Sequence, residues 1–316
     1  MAKRGIAIIA FFICSSFIIY VSSRWNALDL GSSLARLAAS PGWLLFMSAG
    51  YLLSFALKAK AWQLYLRKEA RLPFLESMAG LLYSLAVNHL LPVKAGDAAR
   101  MAVVAANGRV PWATAVHSVV IMRVLDLLVL GAFAGTGALV LGFGSVTGIV
   151  CAIALTAAGL AFLRPLSLRI PYQAVARHLQ HMDVTLRSKQ GITILFLILA
   201  SWLAEGAVVY GTWHALGWNF TAIQSVWLNS LTVAGQIFHI TPGGIGTYET
   251  TFAAGASLLG FAGKDALRAA VAAHGFKFIF SYIAGLWAWW YMPLKWKDIR
   301  DYRQRLRIQA TEEKPQ

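Results

Sequence analysis

The chain has 316 residues, of which 58% are hydrophobic and only 13% charged, a composition that excludes a water-soluble globular protein. Its 28 Lys and Arg residues outnumber its 13 Asp and Glu residues, but they fall in short segments between apolar runs and in the C-terminal tail. This distribution predicts membrane topology and contact with anionic lipids, not nucleic-acid binding. Apolar runs reach the about 20 residues that one spanning helix needs, so the sequence predicts a polytopic membrane protein.

Six apolar stretches are predicted to be full membrane spans that alternate in direction. They lie at about 5–22, 41–60, 112–141, 149–163, 191–216 and 266–292. Between and after them lie three basic segments, which the positive-inside rule places in the cytoplasm together with both termini. The first of these loops is expected to carry Lys58, Lys60, Arg67, Lys68 and Arg71, the second covers 164–189, and the third follows residue 292.

Two further apolar regions, 73–110 and 221–262, are interrupted at their centres. Both interruptions have the pattern Pro-x-x-x-Gly, at Pro92–Gly96 and Pro242–Gly246. If 221–262 crossed the membrane an odd number of times, the basic tail would lie outside, so each region is predicted to be a re-entrant hairpin. Two interrupted segments of opposite orientation are typical of inverted-repeat transporters, whose binding site lies near the bilayer midplane where the interruptions meet.

The predicted fold is therefore an all-α polytopic membrane protein with about six full transmembrane helices and two re-entrant helical hairpins in an inverted repeat. Residues 1–292 are predicted to form a single membrane domain. Its inverted halves lie at about 41–141 and 191–292 and are linked by 142–190. A basic cytoplasmic tail covers 293–316.

Eight charged residues lie at predicted membrane depth, where an unpaired charge costs about 2.5 to 3.5 kcal/mol. They are Lys94, Asp97, Arg100, Arg123, Asp126, Glu205, Glu249 and Lys277, four of each sign. Asp97 and Arg100, like Arg123 and Asp126, are three residues apart and share a helix face. Two interpretations stay open, since these pairs either brace the bundle by mutual neutralisation or contact a substrate.

The interrupted helices favour an anion site. A helix that restarts at membrane depth presents unpaired N–H groups with a partial positive charge. At the first break Asp97 is a candidate N-cap, and Lys94 and Arg100 add full positive charges. Glycines at the second break would let an oxyanion approach the peptide amides, as in an anion-binding nest. These glycines are Gly243, Gly244 and Gly246. The sequence thus predicts a cradle for one phosphate group.

Glu205 and Glu249 have two open interpretations. They are candidate proton carriers if unpaired, and structural residues if they form a salt bridge with Arg100, Arg123 or Lys277. Three histidines also lie at membrane depth and are expected to be hydrogen-bonding braces, because the sequence has no His, Cys or Asp cluster with metal-ligand spacing. These histidines are His89, His239 and His274. No metal and no cofactor are predicted.

Three motifs occur in order along the chain. They are Asn88-x-x-Leu-Pro92-x-Lys94-x-Gly96-Asp97-x-x-Arg100, Arg123-x-x-Asp126, and Thr241-Pro242-Gly243-Gly244-Ile-Gly246-x-x-Glu249. Together they resemble the flippase-like family named after the transmembrane domain of lysylphosphatidylglycerol synthase, the multiple peptide resistance factor, and the resemblance covers nearly the whole chain. Met122 stands where the family favours an acidic residue, and Lys277 where it favours Arg.

The resemblance implies a bacterial inner-membrane protein that moves a lipid between leaflets. The implied substrates are an aminoacylated phospholipid, a polyprenyl-phosphate carrier or a hopanoid-related lipid. The candidate substrate-binding residues are Asn88, Pro92, Lys94, Gly96, Asp97, Arg100, Arg123, Asp126, Pro242, Gly243, Gly244, Gly246 and Glu249.

Two other functions stay open at this point. One is a helper subunit of a separate lipid-modifying enzyme. The other is an integral-membrane enzyme acting on a lipid phosphate, with Glu249, His239 or Asp97 as acid or base. The sequence contains neither an ATP-binding phosphate loop nor a soluble aminoacyl-transferase domain, so we expect a transporter without enzymatic activity.

Overall fold

The computed structural model describes residues 15–23, 26, 28–67, 69–91, 95–106, 108, 110–143, 180, 183–185, 187–236 and 241–293. Within these ranges the chain is helical, with short turns and irregular connections and without strands. Several predictions fall outside the described residues. These concern the span at 149–163, most of the basic loop at 164–189, the tail after residue 293, and the residues Pro92, Lys94 and His239.

From Leu30 onward we label nine helices among the described residues. They are α1 (Leu30–Ala38), α2 (Pro41–Leu66), α3 (Phe74–Leu90), α4 (Ala95–Ala106), α5 (Trp112–Val140), α6 (Lys189–Ala215), α7 (Ala222–Gly235), α8 (Thr247–Leu258) and α9 (Gly263–Tyr291). A short 3₁₀ turn at Pro242–Gly244 precedes α8. Residues 15–23, at the end of the predicted first span, are also helical.

Four of the nine described helices are long and apolar enough to cross a membrane: α2, α5, α6 and α9, with 26 to 29 residues each. They coincide with the predicted spans at 41–60, 112–141, 191–216 and 266–292, which confirms a multi-pass membrane protein. One boundary was wrong. Helix α2 continues to Leu66, so Lys58 lies within the helix and is only 8% exposed, whereas the sequence analysis placed it in a cytoplasmic loop.

The remaining helices of the two interrupted regions are short and form two pairs. Helices α3 and α4 have 17 and 12 residues, and α7 and α8 have 14 and 12. The members of each pair pack against each other. Helix α3 also packs against α9 and against the 3₁₀ turn before α8. The break after α3 and the break before α8 are thereby brought to the same region of the bundle.

Local sequence signals explain several of the helix starts. Pro41 is the first residue of α2, and Pro73 and Pro111 directly precede α3 and α5. Proline suits these positions because its missing N–H would have no partner within the first helical turn. Helix α7 begins with a capping box, in which Thr221 and Gln224 each accept a hydrogen bond from the other's backbone N–H.

The most extensive helix packing among the described residues joins α2 and α6, where small residues meet. A Cβ added to Gly50 would collide with Ala207 and lie 2.9 Å from the carbonyl oxygen of Ala204. Without a hydrophobic driving force between helices in lipid, close backbone approach through small residues supplies the van der Waals contact that holds membrane helices together. The α2–α6 contact therefore depends on Gly50.

We expect Gly50→Ala to lower the midpoint of thermal unfolding in detergent, because overpacking of a tight contact costs about 1 to 3 kcal/mol. Gly131→Ala is the matched control, since Gly131 lies in α5 with no atom within 4 Å of its added Cβ. An unchanged midpoint for Gly50→Ala would contradict close backbone packing of α2 and α6.

Candidate functional site

A cavity of about 160 Å³ lies where the two pairs of short helices meet α2, α5, α6 and α9. Both breaks contribute to its wall, through Asn88 at the end of α3 and Gly243 in the 3₁₀ turn. The charged residues in its wall are Lys58, Arg100, Arg123, Asp126, Glu205 and Lys277. The structure thus gathers most of the charged residues that the sequence analysis placed at membrane depth.

Arg123 and Asp97 form the shortest ion pair at one side of the cavity. Arg123 donates from Nε to Oδ2 of Asp97 and from Nη2 to Oδ1, both at 2.9 Å. The pairs within one helix, Arg100–Asp97 and Arg123–Asp126, are longer contacts of 3.5 and 3.8 Å. Asp97 therefore chiefly joins α4 to α5, since a two-pronged guanidinium contact is the stronger geometry for a carboxylate.

Arg100 is left with unused hydrogen-bond donors. Its side chain is buried, with the residue only 3% exposed, and it lies in the cavity wall. Its Nε and Nη2 atoms have no hydrogen-bond partner among the described residues. The guanidinium carbon lies 5.0 Å from the ring centroid of Trp62, which supports the side chain from one face. Buried donors without acceptors are costly, so this guanidinium is suited to an anionic ligand.

Glu205 lies between two lysines at another side of the cavity. Its Oε2 accepts from Lys58 Nζ at 3.0 Å, and its Oε1 accepts from Lys277 Nζ at 2.9 Å. Lys277 also donates to Asn229 at 3.3 Å, and Lys58 lies 3.4 Å from the ring centroid of Trp202. Of the two interpretations of Glu205, the structure shows the ion-paired one. Lys277 is one of the expected partners, and Lys58 is an unexpected partner.

Lys58 is the residue of this site that sequence reasoning missed. A signal for it existed. The sequence has no Gly or Pro between Gly50 and Pro73, so nothing in it ends helix α2 before Lys58. The five basic residues between positions 58 and 71 instead favoured a cytoplasmic loop that included Lys58. The buried carboxylate that makes the lysine tolerable inside the bundle, Glu205, is 147 residues away in sequence.

Glu249 has a partner that the sequence analysis did not name. Its Oε1 lies 2.7 Å from Nδ1 of His274, and its Oε2 accepts from the N–H of Gly246 at 2.8 Å. His274 Nε2 lies 3.0 Å from the carbonyl oxygen of Gly243, and its ring stacks on Tyr248 with centroids 4.2 Å apart. His274 is thus the hydrogen-bonding brace that was expected, and it connects both ends of the second break.

The peptide amides of the second break are engaged within the protein. Gly244 N–H donates to Thr241 at 3.0 Å, Ile245 N–H donates to Pro242 at 3.2 Å, and Gly246 N–H donates to Glu249. Positive φ angles explain the three glycines, with values of 63°, 78° and 86° at Gly243, Gly244 and Gly246. In this conformation the amides of Gly244 and Gly246 are not free to bind an oxyanion, and Gly243 contributes its carbonyl group.

Asn88 and Gly96 fix the first break. The N–H of Gly96 donates to Oδ1 of Asn88 at 2.8 Å, so Asn88 satisfies an amide in the first turn of α4. A Cβ on Gly96 would collide with the carbonyl oxygen of Ser84. These two motif residues bring α3 and α4 together and hold the carboxylate of Asp97 in reach of α5.

The charge balance of the network changes once the pairings are known. Among the described residues of the network, the cations are Lys58, Arg100, Arg123 and Lys277, and the carboxylates outside the Glu249–His274 pair are Asp97, Asp126 and Glu205. Because Glu249 is paired with His274, these described groups carry one more positive than negative charge. The sequence analysis counted four charges of each sign over a different set, which included Lys94, now outside the described residues, and left out Lys58.

A protein-family model described as the lysylphosphatidylglycerol synthase transmembrane region matches residues 5–285. The chain belongs to this family. The match includes both breaks and most of α9, and it confirms the resemblance seen in the three motifs. No significant match was found among curated proteins or among solved structures.

We expect Glu205→Gln to destabilise this member of the lysylphosphatidylglycerol synthase transmembrane family by about 3 to 5 kcal/mol, because two buried lysines lose their counter-ion. Adding Lys58→Met to that variant should restore most of the lost stability, since it removes one of the two uncompensated buried charges. Thermal unfolding in detergent measures both effects.

The control for Glu205→Gln is Asp265→Asn, also at an ion-paired carboxylate. Asp265 lies at the start of α9, bonded to Arg268 at 3.2 Å and part exposed, so its loss should cost about 1 kcal/mol or less. A Glu205→Gln protein as stable as the control would show that the buried lysines do not depend on the carboxylate.

Proposed function

We propose that this protein moves a lipid with an anionic, phosphate-bearing headgroup between the leaflets of the membrane, as a flippase or scramblase. The headgroup lies in the cavity, and the acyl chains stay in the bilayer. The observation that carries the proposal is Arg100, a buried guanidinium in the cavity wall. Its Nε and Nη2 atoms make no hydrogen bond among the described residues, and the nearest carboxylate oxygen, Oδ1 of Asp97, lies 3.5 Å from Nη2. Phosphate oxygens match the planar donor geometry of Arg.

The net charge of the described groups around the cavity also supports a lipid with an anionic headgroup as the ligand. The described groups around the cavity have one positive charge in excess, and a phosphodiester carries one negative charge. Binding of such a headgroup therefore neutralises the site within a low-dielectric environment, where an uncompensated charge is expensive. Tyr248 adds a buried hydroxyl in the cavity wall without a hydrogen-bond partner among the described residues, and this group suits a polar headgroup substituent.

The membrane arrangement forms part of the proposal. We assign α3–α4 and α7–α8 as two re-entrant hairpins of an inverted repeat, because each helix is shorter than a span and the breaks meet at the cavity. We place both termini in the cytoplasm and the protein in a bacterial inner membrane, on the basis of the basic loops and tail.

Transport is favoured over catalysis by the way in which the candidate acids and bases are used. Both carboxylate oxygens of Glu249 contact other groups, both oxygens of Asp97 accept from Arg123, and the third candidate, His239, lies outside the described residues. The proposal therefore includes neither a chemical change of the lipid nor a cofactor. A helper subunit would move no lipid without its partner enzyme, so purified protein distinguishes the two functions.

We expect purified protein in vesicles of phosphatidylethanolamine and phosphatidylglycerol to move a fluorescent phosphatidylglycerol between leaflets, measured by dithionite quenching. Arg100→Lys keeps the charge but loses the planar fork and should slow movement about tenfold. Arg100→Gln loses both and should slow it about a hundredfold, as expected for about 1.5 to 3 kcal/mol per charged hydrogen bond.

Arg36→Lys is the matched control, since Arg36 is exposed on α1 and lies outside the cavity wall. Normal movement by both Arg100 variants, in folded protein, would refute Arg100 as the phosphate receptor. No movement by the wild-type protein above that in protein-free vesicles would refute transport. Mass spectrometry of the recovered lipid tests the enzymatic alternative, because a changed lipid would contradict the proposal.

A further inference from the structure

The Glu249–His274 pair connects the two ends of the second break through atoms whose roles can be assigned. The carbonyl oxygen of Gly243 can only accept, so His274 Nε2, 3.0 Å away, must carry a hydrogen. The Oε2 atom of Glu249 accepts from Gly246. The remaining contact joins Nδ1 of His274 to Oε1 of Glu249 at 2.7 Å.

One proton must lie in that remaining contact. It sits either on Nδ1, as an imidazolium facing a carboxylate, or on Oε1, as a carboxylic acid facing a neutral imidazole. Both forms are neutral overall. Without the proton, a nitrogen lone pair and a negatively charged oxygen would face each other at 2.7 Å and repel. The conformation of the Gly243–Gly246 break therefore contains one bound proton.

None of the other described groups around the pair replaces this proton. Among the described residues, the titratable and charged groups facing it are Tyr248 on α8, His89 on α3, Lys277 on α9, and, beyond Lys277, Glu205 on α6 and Tyr51 and Lys58 on α2. Lys277 and Glu205 form an ion pair with each other, at 2.9 Å between Nζ and Oε1. The ring of His89 lies 6.2 Å from that of His274, between centroids. Loss of the proton thus leaves a negative charge beside the cavity.

That negative charge would cancel the excess positive charge of the network. With the proton bound, the described groups around the cavity are suited to one lipid monoanion. Without it they are already balanced, and the hydrogen bonds that hold Gly243 in the cavity wall are weakened. Proton and lipid anion therefore favour each other's binding, and this coupling is reciprocal by thermodynamic linkage.

We propose that the protein couples lipid movement to proton movement through the Glu249–His274 pair. One proton enters the pair from one compartment, crosses with one lipid monoanion, and leaves to the other compartment, so that no net charge crosses the membrane. This inference rests on the proposed function and adds its energy source. The lipid accumulates in the leaflet that faces the alkaline compartment.

A pH gradient across the vesicles tests this coupling directly. We expect wild-type protein to concentrate the fluorescent phosphatidylglycerol in the leaflet on the alkaline side, by up to about tenfold for one pH unit, since one unit is a factor of ten in proton activity. A protonophore should abolish the accumulation. Protein-free vesicles under the same gradient give the background to be subtracted.

Glu249→Gln separates proton coupling from binding. The amide of Gln can accept from Gly246 and donate to Nδ1 of His274, so it imitates the proton-bound pair permanently. We expect any lipid that this variant moves, at whatever rate, to stay evenly distributed between the leaflets with or without a pH gradient, because the variant has no proton to exchange. Asp265→Asn removes a carboxylate outside the pair, at the start of α9, and should accumulate the lipid like the wild-type protein.

The outcomes separate this inference from the proposed function. Movement by the wild-type protein without accumulation would overturn proton coupling and leave lipid transport intact. Accumulation by Glu249→Gln equal to that of the wild-type protein would overturn the role of the pair. If the wild-type protein moves no lipid under any gradient, the proposed function fails, and the inference fails with it.

Discussion

The need to balance charge inside a low-dielectric bundle determines how this protein is assembled. A single buried charge in a bilayer is expensive, so each charged side chain at depth must find a partner on another helix or a ligand. Asp97 joins α4 to α5 through Arg123, and Glu205 joins α6 to α2 and α9 through Lys58 and Lys277. These contacts set the relative position of the helices around the cavity.

The two broken helices follow the same rule at the level of the backbone. Amide groups freed by a break at depth require acceptors, because lipid offers none. Side chains supply them, with Asn88 bound to Gly96 at the first break and Glu249 bound to Gly246 at the second. Since Glu249 also contacts His274, the backbone of the second break depends on a titratable pair in the cavity wall. The charge of the cavity wall and the backbone geometry of the second break thus both depend on the Glu249–His274 pair.

Much of this could be predicted from the sequence, because hydropathy, proline and glycine are local signals. The four long helices and the two interruptions both followed from them. Partner choice could not be predicted. Lys58 seemed to belong to a loop, and the partner of Glu249 was sought among cations instead of His274, because pairing depends on helix packing between residues far apart in sequence. The engaged amides of Gly244 and Gly246 likewise depend on backbone geometry that residue types alone do not specify.

The central claim is that Arg100 holds the phosphate of the lipid inside the bundle. Solid-state NMR on protein with ¹⁵N-labelled arginine, reconstituted with phosphatidylglycerol, measures it through dipolar contact between guanidinium nitrogen and ³¹P. The account predicts a contact that persists at high salt, which screens surface arginines, and that disappears in Arg100→Gln. A nitrogen–phosphorus signal that is unchanged in Arg100→Gln would contradict it.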